Sequence, residues 1–344
     1  MDFAGWEMPV QYKSILEEHR AVRTSVGLFD VSHMGEIVVR GPDAGRFLDH
    51  LVTNEIAKIA IGRVVYSPMC REDGGVVDDL LVSRRSEQDY LVCVNASNVE
   101  RDYAWMRSRA DDFDCAVDDQ SDRWGLLAVQ GPNAPALVQE LADRPLDGVR
   151  YYHCAEAVVG GVPCLVSRTG YTGEPGYELF CPADETEALA VALEKAGAAH
   201  GLALCGLGAR DSLRLEAGFS LYGHEISETI SPIQAGLEWT VKFAKPAFVG
   251  REALLEQKTN GTARRVVFFK TGDRRIVRAG TPVLCAGSVV GEVLSGTLSP
   301  MLGEAMGSAL IDTARLSDPL SVDLRGQPVA LCTTKPPFVP LRKS

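Results

Sequence analysis

The sequence predicts an α+β fold: two mixed α+β subdomains over residues 1–260, then a C-terminal all-β barrel over 261–344. Three observations carry this expectation. Strand-like and helix-like runs mix over the first 260 residues without strict β-α-β alternation. A strand–turn–helix unit occurs twice, 90 residues apart. The texture changes near residue 260, where the turn-rich "EQKTNGTARR" gives way to short glycine-punctuated strands.

The repeated unit reads "GEIVVRGPDAGRFLDHLV" from Gly35 and "GLLAVQGPNAPALVQELA" from Gly125, with six of eighteen positions identical. Each is a short strand, a Gly-Pro turn, and an amphipathic helix begun near Asp43 or Asn133. Either the chain is internally duplicated or a common turn recurs by chance. Between the copies, "GGVVDDLLVSRR" and "DYLVCVNAS" read as strands and Asn98 to about Arg109 as a helix. After the second copy, "GVPCLVSRT" and "GYELFCP" read as strands. Helices follow from Asp184 to about His200 and from about Leu207 to Gly218. The closing strands are "RVVFFKT", "GTPVLCAG", "SVVGEVLSG", "MGSALID" and "LSVDLRGQPVALC".

Composition excludes several function classes. A net charge of −11 argues against a general nucleic-acid binder, which needs clustered Lys and Arg. No apolar stretch approaches the roughly 20 residues that span a bilayer. "MDFAGWEMPVQY" has neither the basic start nor the apolar run of a signal peptide. Nine scattered cysteines with no C-x-x-C pair and no zinc spacing predict reduced thiols and a cytoplasmic protein. There is no P-loop and no G-x-G-x-x-G fingerprint. "HEISE" at His224 lacks the second histidine of a zincin, and "GFSLYG" around Ser220 is one residue too long for a nucleophile elbow.

Acids in apolar surroundings are more informative. Asp78 and Asp79 interrupt the branched run "GGVVDDLLV". Strand alternation turns them to opposite faces, so only one is expected to line a given pocket. The other faces solvent, an edge or a backbone partner. Glu178 shares a face with Phe180 in "GYELFCP", so it lies at a sheet edge or accepts hydrogen bonds from a ligand. Arg210 and Arg214 stack four residues apart on one helix face. Each either ion-pairs with a neighbouring element or grips a carboxylate. His33 in "FDVSHMGE" is a core histidine or an acid–base group, and Trp239 in "AGLEWTVKF" sits in a strand-like run and is expected in the core.

Taken in order, "FAGWEMPVQY", "GLFDVSHMGE", "GGVVDDLLV", "YLVCVNASN", "LAVQGPNA", "RTGYTGEPGYELF", "GLGARDSLRLEAGFSLYGHEI", "SPIQAGLEWTV", "KPAFVGREAL" and "KPPFVP" span nearly the whole chain. Together they resemble the T protein of the glycine cleavage system, the tetrahydrofolate-dependent aminomethyltransferase family. The resemblance implies a folate-binding aminomethyltransferase fold, three subdomains around a central folate site, the last being the barrel. It implies that Asp79 is the catalytic acid beside folate N10 and that Met34 and Asn95 line the pocket. It puts Tyr171 and Glu178 at the pterin, makes Arg210 the folate-site arginine and makes Trp239 a pocket aromatic.

The implied reaction moves the one-carbon unit from the aminomethyl-lipoyl arm of a partner H protein to tetrahydrofolate. It releases ammonia and needs no metal or flavin. An alternative within the same pocket is a folate-dependent demethylase or methyltransferase acting on a small one-carbon donor. A non-transferring folate-binding relative is expected to carry K-G-C-Y-x-G-Q-E where this chain has "RTGYTGEPGYE". Two departures stand out. Family members run further before "FAGW", in a segment linked to engaging the H protein. They also carry a tyrosine soon after "PFVP", where this chain closes "FVPLRKS".

Overall fold

The computed structural model describes residues 1–342. The chain forms two compact units. One holds Met1–Met69, Asp78–Arg210 and Arg342; the other holds Cys70–Val77 and Asp211–Leu341.

The first unit opens with a ribbon of β1 (Asp2–Phe3) and β2 (Trp6–Glu7), then α1 (Ile15–Thr24), whose N-terminus is capped by Ser14 accepting from Glu17 N–H at 3.2 Å. Next come β3 (Val26–Asp30), β4 (Gly35–Arg40), α2 (Ala44–Leu51), β5 (Val64–Cys70), β6 (Val76–Arg84) and β7 (Asp89–Val94). They are followed by α3 (Val99–Arg107), β8 (Ala116–Asp119), β9 (Trp124–Gln130), α4 (Ala134–Leu141), β10 (Cys154–Val159), β11 (Val162–Ser167) and β12 (Gly176–Pro182). α5 (Thr186–Gly197) and β13 (Leu202–Leu204) complete the run, and α6 (Leu207–Ala217) follows, its residues from Asp211 onward belonging to the second unit.

Two sheets result, ordered β5-β6-β7-β4-β8 and β10-β11-β12-β9-β3-β13. The internal repeat is legible in this order. In each copy a strand (β4 or β9) leads through a Gly-Pro turn into a helix (α2 or α4). Three strands follow, and the third (β7 or β12) returns antiparallel beside the first. Gly41 and Gly131 each adopt φ 134° at the turn. A Cβ there would lie 2.5 Å from the carbonyl oxygen of Asp114 or of Ser25, so only glycine fits. Asp43 and Asn133 do occupy the N-cap positions but cap nothing with their side chains. Asp43 instead accepts from Arg46 and Asp114 N–H, and Asn133 donates to His200 O at 2.9 Å.

The six-stranded sheet packs its inner face on α4 and α5 through Val129, Leu137, Val166, Tyr177, Leu179 and Leu189. Alternation along β12 thus sends Tyr177 and Leu179 into this core and Glu178 to the other face. In the second unit α7 (Arg251–Asn260) precedes β14 (Arg264–Lys270), β15 (Pro282–Cys285), β16 (Ser288–Leu298), β17 (Ala305–Asp312), β18 (Leu320–Leu324) and β19 (Gln327–Thr334). These six strands close into a barrel, ordered β14-β17-β16-β15-β18-β19, filled by Phe269, Val283, Val293, Ile311, Val322 and Val329. No helix among the described residues is long and apolar enough to cross a membrane.

Candidate active site

The acid pair lies on β6, an interior strand, so neither carboxylate is at an edge. Regular pairing with β7 runs as far as Leu81–Cys93, and the chain then turns at Asn95 through a 3₁₀ turn into α3. That turn sets Asn95 and Asn98 against the two acids. Asp78 is fully buried and accepts from Asn95 N–H (2.9 Å), Asn95 Nδ2 (2.8 Å) and Asn98 Nδ2 (2.6 Å). Among the alternatives of solvent, edge and backbone partner, the last is the one realised.

Asp79 is half-buried. Its Oδ1 accepts from Asn95 Nδ2 at 3.0 Å, and its Oδ2 from the Tyr66 hydroxyl, also at 3.0 Å. One amide nitrogen therefore reaches both carboxylates, although alternation turns the two side chains to opposite faces. Alternation governs where side chains leave the strand. It does not stop a residue at the strand's end from bridging them. Burial, with the charge of Asp78, pushes the Asp79 carboxyl up to about 7, against the pull of the Tyr66 and Asn95 donors. Burial and the Asp79 charge in turn hold the Tyr66 phenol well above its ordinary value.

Glu178 is on β12, between β11 and β9, so the sheet-edge alternative is overturned. It is buried, opposite Ser167 on β11, and accepts from the Thr169 hydroxyl. Thr169 is held in turn by Ser167 at 2.8 Å. Burial raises the Glu178 carboxyl, and Thr169 and the Arg210 charge oppose it. Arg210 lays its guanidinium 4.8 Å from the centre of the Tyr171 ring, a cation–π stack. His33, edge-on to Phe3 at 5.4 Å, is lowered to about 4 by burial and by Arg210, Asp30 opposing.

Hydrogen bonds join Tyr66 and Asn95 to Asp79, and stacking joins Arg210 to Tyr171. Tyr66 feels both Asp79 and Tyr171, and Glu178 feels Arg210. Met34 follows His33 in a tight turn, half-buried, its N–H donating to Val31 O at 3.0 Å. Arg214 departs from Arg210 despite the shared helix. It is buried and bonds Glu225 (2.8 Å), Asp211 (2.8 Å) and Ser295 (2.9 Å), so for it the ion-pair alternative holds.

Trp239 corrects another expectation. It sits in a single 3₁₀ turn, Glu238–Thr240, of the second unit and is 60% exposed, outside the core. The alternating pattern around it was too short to distinguish a strand from a turn. Tyr66, Asn98 and Thr169 are partners that sequence reasoning missed. Their only signal was a hydroxyl or amide in or next to an otherwise apolar run.

The family model described as the GCVT N-terminal domain matches residues 1–245, and that of the glycine cleavage T-protein C-terminal barrel domain matches residues 264–340. The chain belongs to the glycine cleavage T-protein family. Among similar proteins is the aminomethyltransferase of Geobacillus thermodenitrificans, 48% identical over 100% of this chain and 95% of that one. The aminomethyltransferase of Halothermothrix orenii is 45% identical over 98% and 95%. A crystal structure of glycine cleavage system aminomethyltransferase T from Bartonella henselae matches with a TM-score of 0.93 at 35% identity, covering 99% of this chain and 94% of that one. The α+β subdomains with a closed C-terminal barrel are thus the T-protein fold, and this T-protein chain is an aminomethyltransferase.

Proposed function

We propose that this T protein transfers the one-carbon unit from the aminomethyl-lipoyl arm of the H protein to tetrahydrofolate, releasing ammonia and the dihydrolipoyl arm. The observation that carries the reading is Asp79, a half-buried carboxylate fixed from two sides by Tyr66 and Asn95 and poised near neutrality. The surrounding groups fit a folate. Glu178 is a buried acceptor with one hydroxyl donor on it, suited to the N–H groups of a pterin ring. The Arg210–Tyr171 stack offers a cation and an aromatic face.

Bound tetrahydrofolate supplies the N10 nucleophile that accepts the one-carbon unit. Asp79, ionised above about pH 7, takes the role of orienting N10, accepting its proton and offsetting the positive charge that develops on the transferred carbon as ammonia leaves. Tyr66 and Asn95 hold the carboxylate in place. Met34 and Asn95 line the pocket in this reading. The scattered cysteine spacing, with no C-x-x-C pair, supports a reducing, cytoplasmic setting.

The test is reconstitution. Aminomethyl-loaded H protein and tetrahydrofolate should yield methylenetetrahydrofolate and ammonia in equal amounts. Turnover of a small methylamine, with none from H protein, would replace this reading by the demethylase alternative.

A further inference from the structure

Asp102, in the first turn of α3, is an acid that the reaction above does not use. It is fully buried, and among the described residues no N–H or O–H donor reaches either of its oxygens. Arg101 Nε stands 3.9 Å from Oδ1, beyond hydrogen-bond reach, on a partly exposed side chain. From β6 the carboxylate of Asp78 acts on it as hydrogen-bond partner and like charge, and the charge of Asp79 acts more weakly. Two carboxylates face to face are two acceptors, and the contact becomes a hydrogen bond only if one of them holds a proton. Asp78 already accepts three N–H bonds, so its oxygens act there as acceptors. Asp102 accepts none, and an ionised carboxylate so buried would be very costly. The proton therefore belongs on Asp102.

We propose that Asp102 is a positioning residue, held as the neutral acid, whose O–H donates to Asp78, the acceptor that seats Asn95 and, through it, Asp79. The link is continuous: Asp102 to Asp78, Asp78 to Asn95 Nδ2, and that same nitrogen to Asp79 Oδ1. Burial first, and then the Asp78 charge, push the Asp102 carboxyl up to about 11 against the pull of Arg101, in keeping with a proton retained throughout the working range. The role rests on the catalytic reading of Asp79, whereas the protonation state does not.

Two measurements test it. Infrared difference spectra of wild type and Asp102→Asn at pH 8 should show a protonated-carboxyl C=O band in the wild type that the variant lacks. Absence of that band overturns the proposal whether or not the protein turns over H protein. In the pH profile of transfer, Asp102→Asn keeps an N–H donor toward Asp78 and should leave the acid limb where it was. Asp102→Ala removes the donor, loosens the Asn95 bond that pulls Asp79 down, and should move the limb up by roughly half a pH unit or more. A limb moved equally by both variants, or by neither, overturns the positioning role. If Asp102→Ala fails to fold, the infrared comparison and the Asp102→Asn profile still decide. A failed reconstitution in the wild type would instead strike the reaction assigned above and leave the infrared result standing.

Discussion

Asn95 donates one side-chain nitrogen to Asp79 Oδ1 at 3.0 Å while its backbone N–H, 2.9 Å from Asp78 Oδ2, fixes the residue that carries it. The two acids of "GGVVDDLLV" thus have separate duties. Asp79→Asn keeps size and removes the charge, so transfer should fall roughly 10²–10³-fold while tetrahydrofolate affinity stays within about threefold. Asp78→Asn puts an amide where three N–H groups converge. It should lower stability by about 2–4 kcal/mol, seen in denaturant unfolding. Equal loss of turnover from both variants at unchanged stability would remove the division of roles.

The pH dependence follows from the elevated Asp79 carboxyl. Its active form is the ionised one, so kcat/KM should rise with pH along an acid limb near 7 and then level off. Stability should run the other way. The folded state holds this proton up to about 7, whereas an unfolded aspartate releases it near 3.9. Between those values the folded chain binds more protons, so this group's contribution declines as pH rises. Asp79→Asn should flatten that decline, which unfolding at pH 5 and pH 7 would show.

Much of the fold was legible because its signals are local. The Gly-Pro-Asx-Ala junctions mark two left-handed glycine turns, and the glycine-punctuated run after residue 260 marks barrel strands. Neighbouring strands in the sheets were not legible. That β12 lies between β11 and β9 is a long-range fact, and it turns Glu178 from a candidate edge residue into a buried one. The acid pair shows the same limit. Period two gives the face each side chain leaves from, but Asn95 reaches both acids because β7 ends where it does. Tyr66 and Asp102 carried no signal, since a lone tyrosine on a strand and a lone acid in a first helical turn are both ordinary.

The two arginines of α6 provide a contrast. Arg214 is buried with Glu225, so Arg214→Met strands a buried carboxylate and should cost about 3–5 kcal/mol. Arg210→Met should leave stability nearly unchanged and raise KM for tetrahydrofolate. It also removes one of the influences that lower His33, the larger being burial. The His33 ring should then titrate above its value of about 4 while staying below the ordinary histidine range, as NMR of the imidazole signals would show. An unmoved His33 would separate Arg210 from that ring.

The repeated turn yields a stability test independent of chemistry. Gly41 and Gly131 share φ 134°, and at each a Cβ would sit 2.5 Å from a backbone oxygen, which unlike a side-chain tip cannot swing aside. Gly41→Ala and Gly131→Ala should therefore each destabilise by about 2–4 kcal/mol, strain and overlap together. Gly161→Ala provides the control: it too has positive φ, at 88°, but its Cβ would meet nothing within 4 Å. Backbone strain alone should cost it only about 1 kcal/mol. If all three variants lost the same stability, close approach at the Gly-Pro turns would not be what holds glycine there. The shared turn would then mark duplication of the unit without a shared steric need.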